Sequence, residues 1–293
     1  MNTTSFSISQ EKVKENQNQI QNQNQNDGLN IQSVSAYFGL RYSPFTDTFP
    51  INNPFVTEGD KHLLERMHML LSQGKSFSLT GDPGSGKSML LKAFLSSLES
   101  KPYRIVSIPF SGLKAPALLR EICEKLSIDT AGRSSLLGRL SKSFSRKADG
   151  AYPVIILDEA HALPGDALLE LFSLTQDTAQ RTATASIILC GHPMLEKVLA
   201  LDIHSAIRTR IAARLRIKPL EENEVDDFIR YRLRLAKATG DLFTSEAMRI
   251  IELDTKGNRR MIMNHCGSCM DHAVMRNEKI ITDELAREVG DMG

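Results

Sequence analysis

The sequence carries almost no net charge: 36 basic residues stand against 35 acidic ones, leaving +1 over 293 residues. A balance that close argues neither for nor against a nucleic-acid partner; only a local patch can do so. Long apolar runs are absent as well. None approaches the ~18–20 residues that a membrane-spanning helix needs, and no signal peptide opens the chain. The expected protein is therefore soluble and cytoplasmic, with no membrane contact. Cysteine is scarce, limited to Cys123, Cys190, Cys266 and Cys269. Cys266-Gly267-Ser268-Cys269 has the spacing of a redox or zinc half-site, but no second pair completes four ligands. His265 and His272 lie close by, yet the segment has a helical pattern, and two buried cysteines are the plainer reading. Hydrophobic residues still make up 41% of the chain, enough for a real core in one or two domains.

What is present centres on Gly81-Asp82-Pro83-Gly84-Ser85-Gly86-Lys87-Ser88. These eight residues match the phosphate-binding pattern G-x-x-x-x-G-K-[ST] at every fixed position. Ser76 to Thr80 ahead of them has the texture of a short strand, and Met89 to Leu95 behind them that of a helix. The glycines let the backbone curl so that several N–H groups face one phosphate, at the positive end of the helix dipole. Lys87 adds a point charge for the β- and γ-phosphates, and the Ser88 hydroxyl is placed to ligate Mg²⁺. The stretch predicts binding of a nucleoside triphosphate, ATP with Mg²⁺.

Residues 1–34 form an Asn/Gln-rich tail. Its centre, Asn16 to Asn26, holds a single apolar side chain, Ile20, too little burial to offset the entropy of ordering. Disorder is expected there, either as a tether for a partner or as an inert extension. From Tyr37 onward, Tyr37-Phe38-Gly39-Leu40 and Ser43-Pro44-Phe45 mix aromatics with turn residues, and an amphipathic helix follows over Lys61–Leu71. That segment either closes over a nucleotide base or caps a sheet edge.

After the phosphate loop come a strand over Tyr103–Ile108, a helix from about Ala115 to Leu126 and a basic stretch. Next, Tyr152-Pro153-Val154-Ile155-Ile156-Leu157-Asp158-Glu159 places four consecutive aliphatics before two acids. A strand apolar on both faces belongs inside a parallel sheet, and ligands bind at the carboxyl ends of such strands. Asp158 is thereby placed to hold Mg²⁺, and Glu159 to orient and deprotonate the attacking water. A fourth strand, Ala185–Cys190, ends at Gly191-His192-Pro193, and a final short strand falls near Leu215-Arg216-Ile217. From Glu221 the pattern is wholly helical. Glu221, Glu222, Glu224, Asp226 and Asp227 open one helix and Arg230, Arg232, Arg234 and Lys237 close it, the order its dipole favours. Further helices are expected near Ser245–Leu253, Arg259–Arg276 and Thr282–Val289. The fold class predicted is α/β, a five-stranded parallel sheet flanked by helices over residues 35–219, with a helical lid over 220–293.

Together these residues resemble an AAA+ ATPase from about Tyr37 to the C-terminus. More narrowly they are similar to the group holding the ExeA-type secretion ATPases and the MuB, TniB and TnsC transposon target-selection ATPases. The Tyr-Phe-Gly-Leu…Pro-Phe entry, the Asp-Glu-Ala-His motif, Gly191-His192-Pro193 and Gly257-Asn258-Arg259-Arg260 carry that likeness. The resemblance implies that Arg260 senses the γ-phosphate from the lid. It also implies that Arg210 or Arg214 serves as an arginine finger on a neighbouring subunit's nucleotide. His192 stands where such relatives show glutamine, which leaves open which side chain senses phosphate there. Asp158-Glu159-Ala160-His161 also spells a helicase box, but such helicases need two tandem motor domains and there is room for one.

Lys114, Arg133, Arg139, Lys142, Arg146 and Lys147 lie between the second and third strands. Arg139, Lys142 and Arg146 share one helix face at i, i+3 and i+7. In ATPases resembling this one, that region lines the channel where duplex is held, and such phosphate contacts bind without reading sequence; a solvated helix face is the alternative. Two functions follow. One is an ATP-dependent regulator of transposition that self-associates as a ring or filament on double-stranded DNA and recruits or activates a transposase, with a target-selection adaptor. The other is an ExeA-like ATPase that assists assembly of a secretion complex without DNA. The sequence stops at Gly293 without the transmembrane helix and periplasmic part of ExeA-type relatives, which favours the first expectation.

Overall fold

The computed structural model describes residues 33–46, 54–98, 103–109, 113–131, 135–145, 150–177 and 182–292. The expectation for the Asn/Gln-rich tail lies outside them, except for residues 33 and 34. Among the described residues five parallel strands form one sheet: β1 (Ser76–Thr80), β2 (Tyr103–Ile108), β3 (Tyr152–Leu157), β4 (Ser186–Gly191) and β5 (Ile211–Arg216). Their order is β2-β3-β4-β1-β5, with Ile155 beside Ile187 and Leu79 between Cys190 and Leu215.

Burial follows that order. β1 and β4 lie in the middle and are buried along their whole length, as strands covered on both faces must be. β5 forms an edge and alternates: Ile211, Ala213 and Leu215 point inward while Ala212, Arg214 and Arg216 face out. The last strand thus begins earlier than its aliphatic cluster suggests and takes Arg214 into the sheet.

Helices α1 (Glu58–Ser72) and α2 (Lys87–Ser96) cover one face. Helices α3 (Ala115–Lys125), α4 (Leu136–Ser145), α5 (Gly165–Ser173) and α6 (Met194–Ala200) belong to the other. Because successive strand residues point to opposite sides, Val154 and Ile156 join Phe77, Leu79, Met67 and Phe94 in one apolar cluster. Ile155 and Leu157 join Ile122, Leu140, Leu168 and Leu195 in the other. Phe94 is fully buried, so its truncation to alanine costs about 3–5 kcal/mol.

Helices α7 (Glu222–Leu235), α8 (Ser245–Thr255), α9 (Arg259–Arg276) and α10 (Asp283–Asp291) build the lid. Each start has a side-chain cap. Glu221 and Glu224 form a capping box, Thr244 and Thr282 accept from Ala247 N and Leu285 N, and Asn258 accepts from Arg260 N and Met261 N. The lid core gathers Phe228, Ile251, Ile262 and Leu285 with the thiols of Cys266 and Cys269. Burial pushes the Cys269 thiol up to about 12, and no metal-ligating cluster occurs among the described residues.

The aromatic entry segment packs on this lid rather than on a sheet edge. Leu40 and Phe45 belong to the lid's apolar cluster, and Phe45 meets Phe243 edge-on with centroids 5.8 Å apart. Phe55 lies 5.5 Å from both Phe228 and Tyr231. Arg232, only 3% exposed, ties the segment down by donating from Nε to Pro44 O (2.6 Å) and from Nη2 to Thr46 O (2.9 Å). No helix among the described residues is long and apolar enough to cross a membrane.

Candidate functional site

The phosphate loop runs from the carboxyl end of β1 to the first turn of α2. Gly84 (φ +79°) and Gly86 (φ +103°) adopt left-handed backbone, and Gly86 stands at the N-cap of α2 without a side chain to take its amides. The first-turn N–H groups therefore face the loop's concavity. Ser85 N donates to Asp82 O (3.0 Å) across the turn. Lys87, the first residue of α2, folds over the loop, with Nζ 2.8 Å from Gly81 O and 3.1 Å from Asp82 O. A phosphate oxygen would compete with those carbonyls for the same ammonium.

The acids come from β3. Asp158 N donates to Ile108 O (3.0 Å), which carries the sheet ladder one residue past the strand, and Asp158 Oδ1 accepts from Glu159 N (2.9 Å). Glu159 itself adopts φ +49°, a conformation that costs a non-glycine residue about 1–3 kcal/mol and clusters at active sites. Its side chain is half exposed, with Oε2 3.4 Å from His161 Nδ1 but poorly aligned for a hydrogen bond. The rings of His161 and His192 are 6.0 Å apart. His192 Nδ1 accepts from Met194 N (3.2 Å), which fixes that ring just past β4. Burial, reinforced by the Asp158 charge, pushes the Cys190 thiol far up, so it supplies no nucleophile.

These parts surround one cavity of about 960 Å³, of a size to hold a nucleotide. Pro83, Gly84, Gly86, Lys87, Ser88, Glu159, His192 and Arg260 line it together. Thr46, Phe55, Val56, Phe228, Tyr231 and Met263 give it an apolar side from the entry segment and lid. Gly81, Asp82 and Ser85 shape the loop from behind, and Asp158 sits next to Glu159 without lining the cavity. Arg210 and Arg214 do not line it either. Arg210 Nη1 donates to Ala206 O (2.8 Å) just ahead of β5, and Arg214 is exposed on that edge strand.

Of the basic residues, Lys114 and Lys142 are exposed. Arg139 is turned inward: its side chain is 18% exposed, it pairs with Asp129 (3.3 Å), and it donates to the carbonyls of Asp129 and Ala131. Arg133, Arg146 and Lys147 lie outside the described residues.

Sequence reasoning passed over Arg259, Asp60 and the anchoring role of Arg232. Arg259 Nη2 donates to Asp60 Oδ2 (2.5 Å) and Nη1 to the carbonyl of Ser85. The one available signal was the doubled arginine after Gly257-Asn258.

Comparison with known proteins accords with this geometry. Residues 69–199 match a family model described as an AAA domain. The chain is 28% identical over 257 residues to General secretion pathway protein A of Aeromonas hydrophila, covering 85% of this chain and 47% of that protein. It thus spans about half the length of that curated relative. Among solved structures, Cdc6p from Pyrobaculum aerophilum superposes with a TM-score of 0.66 at 19% identity, over 85% of this chain and 70% of that one. Drosophila ORC bound to DNA gives 0.64 at 14% identity, over 90% and 66%. The Thermotoga maritima RuvB Holliday junction branch migration motor gives 0.56 at 17% identity, over 80% and 69%. The fold is that of an AAA+ P-loop NTPase. The matched domain and the intact loop and acidic motif support an ATPase.

Proposed function

We propose that the protein is an ATP-hydrolysing AAA+ regulator that self-associates on duplex DNA and recruits or activates a transposase. One observation carries the ATPase part: Lys87 and Ser88 at a helix N-terminus, Glu159 just past the end of β3 and Arg260 on the lid all line the same cavity. In this reading the loop amides and Lys87 bind the phosphates, and Arg260 meets the γ-phosphate from the lid. Glu159, close to His161 and held in a strained backbone, takes the proton of the attacking water. Ser88 and Asp158 would supply oxygen donors only, the kind that suits hard, hydrated Mg²⁺. The metal would supply charge neutralisation of the phosphates there.

Exposed Lys114 and Lys142 support the DNA part, as do DNA-bound structures with this fold. Self-association is proposed because Arg210 and Arg214 lie off the chain's own cavity and so are available to another subunit's. The likeness to General secretion pathway protein A favours a second reading, an ATPase that assists a secretion complex without touching DNA. A gel shift on nonspecific duplex with and without ATP, at two salt concentrations, separates the two. The DNA reading expects an ATP-dependent, salt-sensitive shift, and its absence even at low salt leaves the secretion reading.

A further inference from the structure

We infer that Arg259 is a positioning residue that clasps the helical lid to the phosphate loop, so that nucleotide release waits on its opening. This rests on the nucleotide reading of the cavity. Three consecutive lid residues take three consecutive loop carbonyls. Asn258 Nδ2 donates to Pro83 O (2.8 Å), Arg260 N donates to Gly84 O (3.2 Å), and Arg259 Nη1 donates to Ser85 O. Carbonyls pointing outward toward the lid leave the opposite side of the loop, with its N–H groups, to the phosphates.

Arg259 alone reaches a third element. Its Nη2 donates to Asp60 Oδ2 at 2.5 Å, and that carboxylate also takes Thr57 N in the capping box of α1. The two side chains are 6% and 5% exposed. Burial lowers the Arg259 pKa and the Asp60 charge opposes it, and the guanidinium stays charged because its ordinary pKa is so high. A planar fork puts separate nitrogens on carboxylate and carbonyl at once; an ammonium concentrates its donors on one atom and does not hold that spacing. The lid also supplies Arg259 itself, Arg260, Phe228 and Tyr231 to the cavity wall, so parting lid from loop widens the cavity. That parting must break three hydrogen bonds and uncover a buried ion pair.

The test follows release of a fluorescent ADP analogue by stopped flow from wild type, Arg259→Lys and Asp60→Asn/Arg259→Met. The double variant keeps an acceptor for Thr57 N, fills the arginine stem's volume and strands no buried charge. Release is expected to quicken at least about tenfold in the double variant, the worth of one charge-assisted hydrogen bond. Association should change far less, and Arg259→Lys should fall between. Loss of folded protein alone would reduce the amplitude and leave the release rate as it was. Arg259→Lys retains a partner for Asp60 and so reports even where the double variant folds poorly. Release within twofold of wild type from folded protein of both variants overturns the inference while the nucleotide site stands. Wild type that binds no nucleotide overturns both.

Discussion

Arg232→Ala tests whether the entry segment is a structural part of the nucleotide cavity. The arginine is 3% exposed and makes two charge-assisted hydrogen bonds, at 2.6 Å to Pro44 O and 2.9 Å to Thr46 O. Bonds of this kind are worth about 1.5–3 kcal/mol each. Thr46 is only partly buried and its carbonyl recovers some hydration once the guanidinium is gone, whereas Pro44 is buried and its carbonyl is left without a partner, which brings the expected loss to about 3–4 kcal/mol. At about 2–4 °C per kcal/mol the melting temperature should fall by roughly 5–15 °C. Thr46 lines the cavity, so the KM for ATP should rise as well. Arg232→Lys keeps the charge and one bond and should recover about half of the stability. Urea unfolding followed by far-UV circular dichroism, paired with steady-state ATPase assays, measures both effects. An unchanged midpoint would show that the segment contributes nothing to the lid; a lowered midpoint with unchanged KM would separate it from the cavity.

Lys87→Ala should abolish nucleotide binding, whereas Glu159→Gln should bind ATP normally and lose about 10²–10⁴ in turnover; isothermal titration and phosphate release distinguish the two, and wild-type turnover by Glu159→Gln would refute its role as base. ATPase activity should rise with protein concentration, and mixing Arg210→Ala/Arg214→Ala protein with Lys87→Ala protein should restore part of it, since each supplies the half-site the other lacks. No recovery in mixtures shown by light scattering to co-assemble would refute the trans-arginine assignment. Lys142→Ala should lower the log–log salt slope of duplex binding by about 0.9, one phosphate contact, while Arg139→Ala should alter stability more than slope, because its guanidinium is engaged by the 129–131 turn.

The sheet and the phosphate loop were legible because their chemistry is contiguous. A loop that wraps phosphate needs its glycines, Lys87 and Ser88 in one run, and a doubly covered strand needs the unbroken Val154-Ile155-Ile156-Leu157. The lid helices were legible from the helical pattern after Glu221 and from the charge order of α7. Arg259 and Asp60 were not, because they are 199 positions apart and nothing in either neighbourhood announces the other. Arg139 fitted a basic helix face by spacing alone. Its partners are the Asp129 carboxylate and the carbonyls of Asp129 and Ala131, ten and eight positions upstream, and a helix-face pattern does not display them. Period-two alternation over Ile211 to Arg216 marks the edge strand once it is looked for, but the tighter aliphatic cluster at Leu215 and Ile217 drew the expectation later.

Gly84 shows why the loop and the lid form one problem. The phosphate-binding pattern leaves that position open, so curling around phosphate does not by itself demand glycine there. In the structure Gly84 has φ +79°, and a Cβ on it would lie 2.6 Å from both Arg260 Cβ and Asn258 Oδ1. Gly86, which the pattern does fix, would meet Arg259 Cδ at 3.0 Å. The bare backbone that lets amides converge on a phosphate is therefore the same bare backbone on which Asn258, Arg259 and Arg260 settle. A side chain at Gly84 would push the lid away before it disturbed the amides, because the lid lies on the side where the Cβ would point. The geometry that binds phosphate and the geometry that seats the lid are set by the same two residues, so each change in the loop is felt by the lid arginines and each movement of the lid by the loop.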